Sequence, residues 1–313
     1  MPRVSVVIPA FNVSWCILDA LDSVRSQTYK DYELIVVNDG SSDSTHDVVI
    51  QWLEGARPLA GRLIDQDNRR LGGARNTGIR HSVGEFVAFL DADDLWYPEK
   101  LARVVAAFDS SGPEVGLVCH NEVVTRQGKT VGINRYGPCV PDMYRFLLFH
   151  GSCLSPSSAV VKAALLETVG GFSEDPDVHS IEDYDLWLRL SRLTRFHFLR
   201  EILGEYRLHP GSLGSDPEYN LRHCLNVIDR HAEEYFRERK PTAFDRYRIR
   251  RRRGLAFRSA CMAARRRGDY SRALGYITIG LRFAPVDFKN WAALGLCASG
   301  ALARSCRITS LFS

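Results

Sequence analysis

The chain has 313 residues with 45% hydrophobic and 25% charged side chains, an ordinary globular composition that allows one large domain or a domain with an appendage. The net charge of +4 is uneven, because residues 1–236 carry 23 Lys or Arg and 33 Asp or Glu, whereas residues 237–313 carry 18 and 4. Eight cysteines without a CxxC pair predict neither a zinc site nor a disulfide framework, and the longest weakly polar run, residues 291–303, is too short to span a bilayer.

Strand and helix signals alternate over the first hundred residues. Apolar runs predict strands at 4–8, 33–37, 62–64 and 86–90, separated by predicted helices at about 15–25, 48–53 and 72–80. Strands that alternate with helices indicate parallel βαβ units. Ligands bind beyond the carboxyl ends of strands in such sheets, and the acidic segments 38-NDG-40 and 91-DAD-93 both follow predicted strand ends.

The predicted secondary structure changes twice along the rest of the chain. Residues 100–215 mix predicted helices with short strands, and the chain beyond about residue 216 is predicted to be helical. Within that tail, residues 255–285 predict two amphipathic helices joined at Gly268-Asp269, with Pro285 ending the second. We therefore predict a domain at 1–215 and a basic helical extension at 216–313.

Three aspartates stand within four positions after the fourth predicted strand. Asp91 and Asp93 are a plausible anchor for Mg²⁺ or Mn²⁺, which take oxygen ligands from carboxylates and substrate phosphates. The alternative is a solvated turn that caps the helix starting at Pro98. Asp94 suits this capping role, and we expect it to help start that helix when Asp91 and Asp93 hold a metal as well. Trp96, which follows the cluster, is expected either in the core or facing a ligand.

Two other segments suit a nucleotide. Asp39 could accept hydrogen bonds from a nucleobase or ribose, and Gly40 allows close backbone approach, although Asp-Gly is also a common turn pair. Glycines open the helix at 72-GGARNTG-78 with Arg75 in its first turn, an arrangement that suits a diphosphate. Close packing of a small-residue helix on the sheet is the alternative.

Seven segments occur in an order typical of one family: 6-VVIPAFN-12, 37-VNDGSSDST-45, 72-GGARNTG-78, 90-LDADD-94, 170-GGF-172, 182-EDYDLWLR-189 and 206-YRLHPGS-212. Over about residues 3–215 the chain resembles family 2 glycosyltransferases. The resemblance implies an α/β GT-A fold, with a Rossmann-like, mostly parallel sheet flanked by helices, followed here by the C-terminal helical extension. It also implies a nucleotide-diphosphate sugar donor, a divalent metal and inversion at the anomeric carbon.

The resemblance assigns the donor site residue by residue. The loop beside the nucleotide base corresponds to Pro9, Ala10 and Phe11, and the residue that contacts the base corresponds to Asp39. The start of the donor-binding helix corresponds to Arg75 and Asn76. Asn38 departs from the family pattern, which often has an acid at that position, and this leaves the base preference open.

The resemblance assigns the metal and catalytic residues as well. Asp91 and Asp93 match the metal-binding pair, with Asp91 also contacting the donor, and His209 matches a histidine at the metal and the leaving diphosphate. Asp183 matches the catalytic base. Without the resemblance, Glu182 and Asp183 could be first-turn charges favoured by the helix dipole, and His209 an ordinary loop histidine. Trp187 is predicted to be core, and Gly170-Gly171-Phe172 a turn on the acceptor side.

The basic tail allows three interpretations. Residues 237–272 hold fourteen Lys or Arg and three acids, which fits a solvated helix face or an anionic membrane surface that the basic C-terminal helices bind. No nucleic-acid motif accompanies the charge, so no nucleic acid is expected. The N-terminus lacks the features of a signal peptide. We expect a cytoplasmic protein that can attach peripherally to the inner face of the membrane.

We predict a glycosyltransferase that moves a sugar from a nucleotide-diphosphate donor, with UDP the expected nucleotide, to a hydroxyl of a glycan or lipid-linked glycan. A sugar-phosphate nucleotidyltransferase is disfavoured because 8-IPAFN-12 is neither glycine-rich nor basic. A dinucleotide oxidoreductase is disfavoured because no GxGxxG follows the first strand. A non-catalytic scaffold that binds nucleotide sugars is the remaining alternative.

Overall fold

The computed structural model describes residues 1–56, 60–209 and 216–309, the last nine of them for their backbone only. The chain divides into two compact units. The first comprises Met1–Leu147 with Ser152–His209, and the second comprises Leu148–Gly151 with the described part of Pro210–Ser313. The last three residues of the predicted segment 206–212 lie outside the described residues.

The first unit contains, in its described residues, a nine-stranded mixed sheet with the order β3-β2-β1-β4-β8-β6-β9-β5, and β7 pairs with β6. The strands are β1 (Val4–Ala10), β2 (Tyr32–Asp39), β3 (Gly61–Gln66), β4 (Phe86–Phe89), β5 (Leu95–Trp96), β6 (Val115–Arg126), β7 (Lys129–Asn134), β8 (Ala159–Lys162) and β9 (Arg195–Leu208). The helices up to residue 190 are α1 (Ile17–Arg25), α2 (Thr45–Gly55), α3 (Arg70–His81), α4 (Lys100–Ser110), α5 (Met143–His150), α6 (Ala163–Val169) and α7 (Glu182–Leu190).

Strands β3, β2, β1 and β4 are parallel, as the alternating pattern predicted. Residues of β1, β2 and β4 are buried throughout, because helices cover both faces of a parallel sheet and leave no polar side. Val6 pairs with Leu34 on one side and with Ala88 on the other. This register brings the carboxyl ends of the three strands to one edge, directly before Phe11, Gly40 and Leu90.

The second half of the sheet is mixed, so the expectation of a mostly parallel sheet was wrong for the sheet as a whole. Strand β8 is antiparallel to β4 and β6, β9 is parallel to β6, and β5 is antiparallel to β9. Strands β6 and β9 have 12 and 14 residues, so they are longer than the short strands expected from the sequence. Both are rich in polar and charged residues, and their mutual pairing supplies the stability that local propensity does not show.

The second unit contains α8 (Pro217–Glu238), α9 (Ala243–Arg266), α10 (Tyr270–Phe283) and α11 (Phe288–Thr309). The predicted helix pair joined at Gly268-Asp269 is confirmed as α9 and α10, and Asp269 caps α10 by accepting from the Arg272 N–H. Helix α9 begins twelve residues earlier than expected because Thr242 and Asp245 form a capping box. Small residues such as Ala264 and Ala273 line the contact between the helices.

Most arginines of the 248-RIRRRRG-254 run bind partners within the second unit. Arg253 pairs with Asp229 at 2.7 Å, Arg251 pairs with Asp287 at 3.3 Å, and Arg250 donates to the carbonyl of Arg282. Arg252 is only 7% exposed. These arginines therefore stabilise the helix packing and do not form an open basic face. Within the residues described, no helix combines the length and apolar character that crossing a membrane requires.

We predict that Gly78→Ala will destabilise the first unit. An ideal Cβ at Gly78 of α3 would lie 2.2 Å from Cγ1 of Val7, which is buried in β1. We expect a loss of about 1–3 kcal/mol in the free energy of unfolding, since neither helix nor strand can yield without disturbing the core. Urea unfolding measures this loss.

Gly55→Ala at the end of α2 is the matched control, because a Cβ there meets nothing within 4 Å. We expect it to be neutral or to stabilise by up to about 1 kcal/mol. Equal effects of the two substitutions would contradict the close packing of α3 on β1.

Candidate active site

The loop after β1 is held against the loop after β2. Asn12 adopts a positive φ of 52°, and its side-chain Oδ1 accepts from the Ser42 N–H at 2.8 Å. The Val13 N–H donates to Thr45 Oγ1 at 2.9 Å. Among the predicted base-binding residues, Pro9 and Ala10 are buried in β1. Phe11 follows the strand and has 49% of its surface exposed at this edge of the sheet.

Asp39 lies at the end of β2 and is 2% exposed. Its Oδ1 accepts from Gln66 Nε2 at 2.6 Å and from the Arg69 N–H at 2.8 Å. Oδ2 accepts no hydrogen bond within the described residues, so it is available to a ligand. Gly40 has a φ of 74°, and a Cβ there would lie 3.0 Å from the Asn68 backbone nitrogen, which explains the glycine.

Asn38, which replaces an acid of the family pattern, has a structural partner. Its Nδ2 donates to Asp65 Oδ1 at 2.7 Å across the β2–β3 pair. The same oxygen of Asp65 lies 3.0 Å from His46 Nδ1. An acid at position 38 would face Asp65 without a donor, so the amide fits this pair of strands.

Asp91, Asp93 and Asp94 form a carboxylate cluster at the end of β4. Asp91 pairs with Arg75 Nη2 at 2.6 Å, and Asp93 Oδ2 lies 2.7 Å from His209 Nε2. Burial and the charge of Asp91 raise the pKa of Asp93, although His209 acts in the opposite direction. The structure thus brings the predicted metal residues together.

Asp94 does not cap the following helix, and this expectation was wrong. It is 2% exposed, and it accepts from Ser157 Oγ at 2.6 Å and from the Arg207 N–H at 3.0 Å. Helix α4 begins at Lys100 with Glu99 as its N-cap residue and has no side-chain cap. Burial and the neighbouring carboxylates raise the pKa of Asp94 well above its usual range.

Arg207 at the end of β9 also holds the loop that contains Asp93 and Asp94. Its Nε donates to the Asp93 carbonyl, and its Nη1 donates to Asp19 Oδ2 on α1 at 2.7 Å. Two residues later, the ring of His209 meets the edge of Trp15, with the ring centroids 4.9 Å apart. The end of β9 therefore positions His209 beside Asp93.

Arg75 joins the two acidic motifs that the sequence separates. It is 2% exposed, and its guanidinium pairs with Asp91 Oδ1 at 2.6 Å and with Glu182 Oε1 at 3.3 Å. The same group lies over the ring of Phe172, 5.1 Å from its centroid. These contacts tie Arg75 to two protein carboxylates, and the donor contact that the resemblance implies for Arg75 stays a prediction.

The side chain of Asn76 also makes its hydrogen bonds within the protein. Its Nδ2 donates to the Phe172 carbonyl and to Glu174 Oε1, each at 2.9 Å, and its Oδ1 accepts from the Phe172 N–H at 2.8 Å. These bonds use both amide hydrogens and fix the turn in which Gly170 and Gly171 have φ of 74° and 72°. Both amide hydrogens of Asn76 are therefore used within the protein, and the donor contact that the resemblance implies stays a prediction.

Glu182 and Asp183 open helix α7. Glu182 is buried against Arg75, and Asp183 is half-buried with its Oδ1 accepting from the Tyr184 N–H at 2.7 Å. Burial and the adjacent charge of Glu182 raise the pKa of Asp183 to about 7, while Arg75 opposes the increase. A carboxyl with this pKa can both accept and hold a proton near neutral pH.

Several residues of the site escaped the sequence analysis. Glu182 carries the contact to Arg75, Ser157 anchors Asp94, and Glu122 of β6 is fully buried with a pKa raised to about 7 by burial. Only Glu182 had a signal, its place beside Asp183. Trp187 is core as predicted, and Trp96 is also core, with Nε1 donating to the Ser157 carbonyl at 2.7 Å.

The carboxylate pair fits a divalent ion that is held jointly with a substrate. Asp91 and Asp93 each use one oxygen on a protein cation or imidazole, and no other side chain among the described residues donates a hydrogen bond to their carboxylates. Among those residues, no group of three or more His, Cys, Asp or Glu could hold an ion alone. Mg²⁺ and Mn²⁺ are commonly bound by one or two carboxylates plus substrate phosphates, which is the donor set available here.

Residues 5–170, just over half of the chain, match the family described as glycosyl transferase family 2. The chain belongs to this family. The acidic strand ends, the glycines of α3 and the paired acids of α7 are among the features on which the resemblance was based. Helix α3 begins at Arg70, two residues before the predicted glycine start, so Arg75 lies in its second turn and not in its first.

Two relatives illustrate the similarity. An uncharacterised glycosyltransferase from Nostoc sp. (strain PCC 7120) is 36% identical over 213 residues, which are 66% of this chain and 65% of that protein. The chain therefore spans about 65% of the length of this relative. From Escherichia coli, UDP-Glc:alpha-D-GlcNAc-diphosphoundecaprenol beta-1,3-glucosyltransferase WfgD is 29% identical over 72% of this chain and 85% of its own length.

The fold is shared with solved glycosyltransferases. Mannosyltransferase PcManGT from Pyrobaculum calidifontis, solved in complex with GDP-Man and Mn²⁺, superposes with a TM-score of 0.59 at 22% identity over 96% of this chain and 86% of that chain. The predicted α/β GT-A fold, with helices following the sheet, is confirmed.

Asp183→Asn should stabilise the protein at neutral and alkaline pH. The folded-state pKa of Asp183, about 7, lies above its ordinary value of 3.8, so the folded state favours the protonated carboxyl. The wild type therefore loses stability as the pH rises from about 4 to about 7. We expect the variant to gain on the order of 2 kcal/mol at about pH 8 and nothing below about pH 4. Urea unfolding across this range measures the difference.

Asp47→Asn is the control, since Asp47 is an exposed acid in the first turn of α2. Its effect should stay within about 0.5 kcal/mol over the same pH range. A pH-independent effect of Asp183→Asn would contradict the raised pKa.

Proposed function

We propose that the protein is a metal-dependent inverting glycosyltransferase that moves a sugar from a nucleotide-diphosphate donor to a hydroxyl of a glycan or lipid-linked glycan. The first unit would be the catalytic part, within the predicted domain at 1–215. One observation carries the proposal, namely that Arg75 pairs at once with Asp91 and with Glu182. This bond network ties the carboxylate pair to helix α7, whose second residue is the candidate base, Asp183.

Asp183 is the proposed general base. In a single displacement, the acceptor oxygen bonds to the anomeric carbon while the bond from that carbon to the diphosphate oxygen breaks. The acceptor hydroxyl loses its proton, and a carboxylate on the side opposite the leaving group can take it. The raised pKa of Asp183, about 7, makes its carboxylate a competent acceptor for this proton.

The leaving diphosphate needs compensation for its growing negative charge. A divalent ion, Mn²⁺ or Mg²⁺, held by Asp91 and Asp93 would supply Lewis-acid stabilisation when bound. His209, next to Asp93 at 2.7 Å, would lie beside the same group. The crowded carboxylates also favour a cation at this position, because repulsion from Asp91 contributes to the raised pKa of Asp93.

The proposed classes of donor and acceptor are based on side chains that are available to a ligand and on what the names of the relatives say. The free oxygen of Asp39 and the exposed ring of Phe11 stand at the edge where a nucleobase would bind. WfgD, by its name, uses UDP-Glc and a diphosphoundecaprenol-linked GlcNAc, which supports a UDP-sugar and a lipid-linked glycan here. The GDP-Man complex of PcManGT shows that another nucleotide occurs on this fold. We place the reaction in cell-envelope polysaccharide synthesis, at the inner face of the membrane.

Metal-dependent nucleotide binding is the first test of this proposal. Calorimetric titration of UDP should show binding to the wild type with Mn²⁺ and at least about tenfold weaker binding without it, a loss of about 1.4 kcal/mol. Asp93→Ala should abolish the benefit of Mn²⁺, because it removes one of the two carboxylates.

Asp31→Ala is the matched control for that titration, since Asp31 is exposed beside the amino end of β2, at the opposite edge of the sheet. It should bind as the wild type does. Binding of GDP or dTDP in place of UDP would change the donor class. If no nucleoside diphosphate binds with metal, the transferase proposal is wrong.

Asp183→Asn separates a transferase from a non-catalytic scaffold. The variant should keep metal-dependent UDP binding, because Asn can still accept from the Tyr184 N–H, and kcat should fall by about 10²–10⁴-fold through loss of the base. Turnover of UDP-glucose with a diphosphoundecaprenol-linked GlcNAc acceptor, the pair that the name of WfgD prints, measures this. Activity within about tenfold of the wild type would exclude Asp183 as the base.

A further inference from the structure

Helix α11 carries apolar side chains on two opposite sides. On the inward side, Ala293 and Cys297 are buried against α9 and α10. On the outward side, Phe288, Trp291 and Leu296 are 73%, 55% and 49% exposed. Their spacing places these three on one face of the helix. Ala292 and Gly295 fill this face between them and are also exposed; we call it the outward face of α11.

The outward face of α11 lacks the charges of a water-facing helix. The sequence from 288 to 309 contains no acid, and its Lys289 stands exposed at the border of the face. Val286, in the connection before the helix, is 75% exposed. The Trp291 Nε1–H donates to the Pro285 carbonyl at 2.8 Å, so its one polar group is already satisfied. A contiguous exposed apolar face of this kind marks an interaction surface.

Charge indicates which surface would cover it. Residues 237–313 carry 18 Lys or Arg and 4 Asp or Glu, so this part of the chain is attracted to anions. Two copies that met through their outward faces would bring two such positive regions together, which electrostatic repulsion opposes. An anionic lipid surface has negative charge with an apolar layer directly beneath it. It therefore matches both the positive charge of this part of the chain and the exposed apolar side chains of the outward face.

We propose that the outward face of α11, together with Val286, binds the headgroup region of an anionic lipid bilayer. Phe288 and Leu296 would enter the boundary of the acyl chains, as the apolar face of an interfacial helix does. Trp291 suits the level of the headgroups, and Lys289 would meet lipid phosphates. The proposal moves the membrane contact from the basic run of α9, where most arginines have internal partners, to α11. It does not depend on transferase activity.

Vesicle flotation of the full chain tests the proposal without donor or acceptor. The wild type should float with vesicles made of equal amounts of phosphatidylglycerol and phosphatidylcholine, and much less with phosphatidylcholine alone. Phe288→Ser/Leu296→Ser should weaken this binding by at least about tenfold, since apolar area is lost. Lys289→Gln should weaken it by about fivefold, the effect of one basic residue near such a surface. Fluorescence of Trp291 should shift to shorter wavelength with the anionic vesicles, and Trp291→Phe should remove that shift.

Phe244→Ser/Tyr247→Ser is the matched control, because these exposed aromatic residues lie on α9 in the same unit. This variant should bind as the wild type does, and unchanged thermal unfolding should show that both double variants are folded. Absence of wild-type binding to anionic vesicles, or equal binding by Phe288→Ser/Leu296→Ser, would overturn the proposal. So would a wild-type dimer in analytical ultracentrifugation that this variant dissociates, since a second copy would then cover the face.

Discussion

The buried guanidinium of Arg75 is the contact on which the candidate site depends. A cation that is 2% exposed is costly unless carboxylates accompany it, and here Asp91 and Glu182 both do. The converse also holds, because each carboxylate would be a buried or half-buried charge without Arg75. The three groups come from α3, the end of β4 and the start of α7, so this one interaction fixes three elements that lie far apart in the chain.

A second set of hydrogen bonds holds the same loop, which contains Asp91, Asp93 and Asp94. Ser157 and the backbone N–H of Arg207 bind the two oxygens of Asp94, and the Arg207 side chain reaches the Asp93 carbonyl and Asp19. These neutral and cationic donors fix the loop without neutralising Asp93, whose pKa remains raised. The buried end of the cluster is therefore fully hydrogen-bonded, whereas at its exposed end burial and repulsion from Asp91 disfavour the negative charge of Asp93. Such an arrangement favours a cation that arrives with the substrate.

The sequence predicted those features that depend on local patterns. Alternation of apolar runs with helical stripes gave β1 to β4 and their parallel arrangement, and the helix pair joined at Gly268-Asp269 followed from turn chemistry. Pairing between distant residues had no local signal. Asp94 was expected to be a helix cap, but it is a buried acid that accepts from Ser157, 63 residues away. Likewise Asn76 and Arg75 belong to a segment that suits a phosphate, and their contacts to Phe172 and Glu182, about a hundred residues away, had no local signal.

The second unit shows why charge counts alone do not identify a binding surface. Its run of arginines on α9 suggested an open basic face, but Asp229, Asp287 and a helix carbonyl take up most of that run. The counts do show correctly that this part of the chain has a net positive charge, since few acids are present to balance its basic residues. That excess acts over a distance of about 8 Å at physiological salt, so it attracts an anionic surface without itself making the contact. The contact needs exposed apolar area, and α11 has such a face.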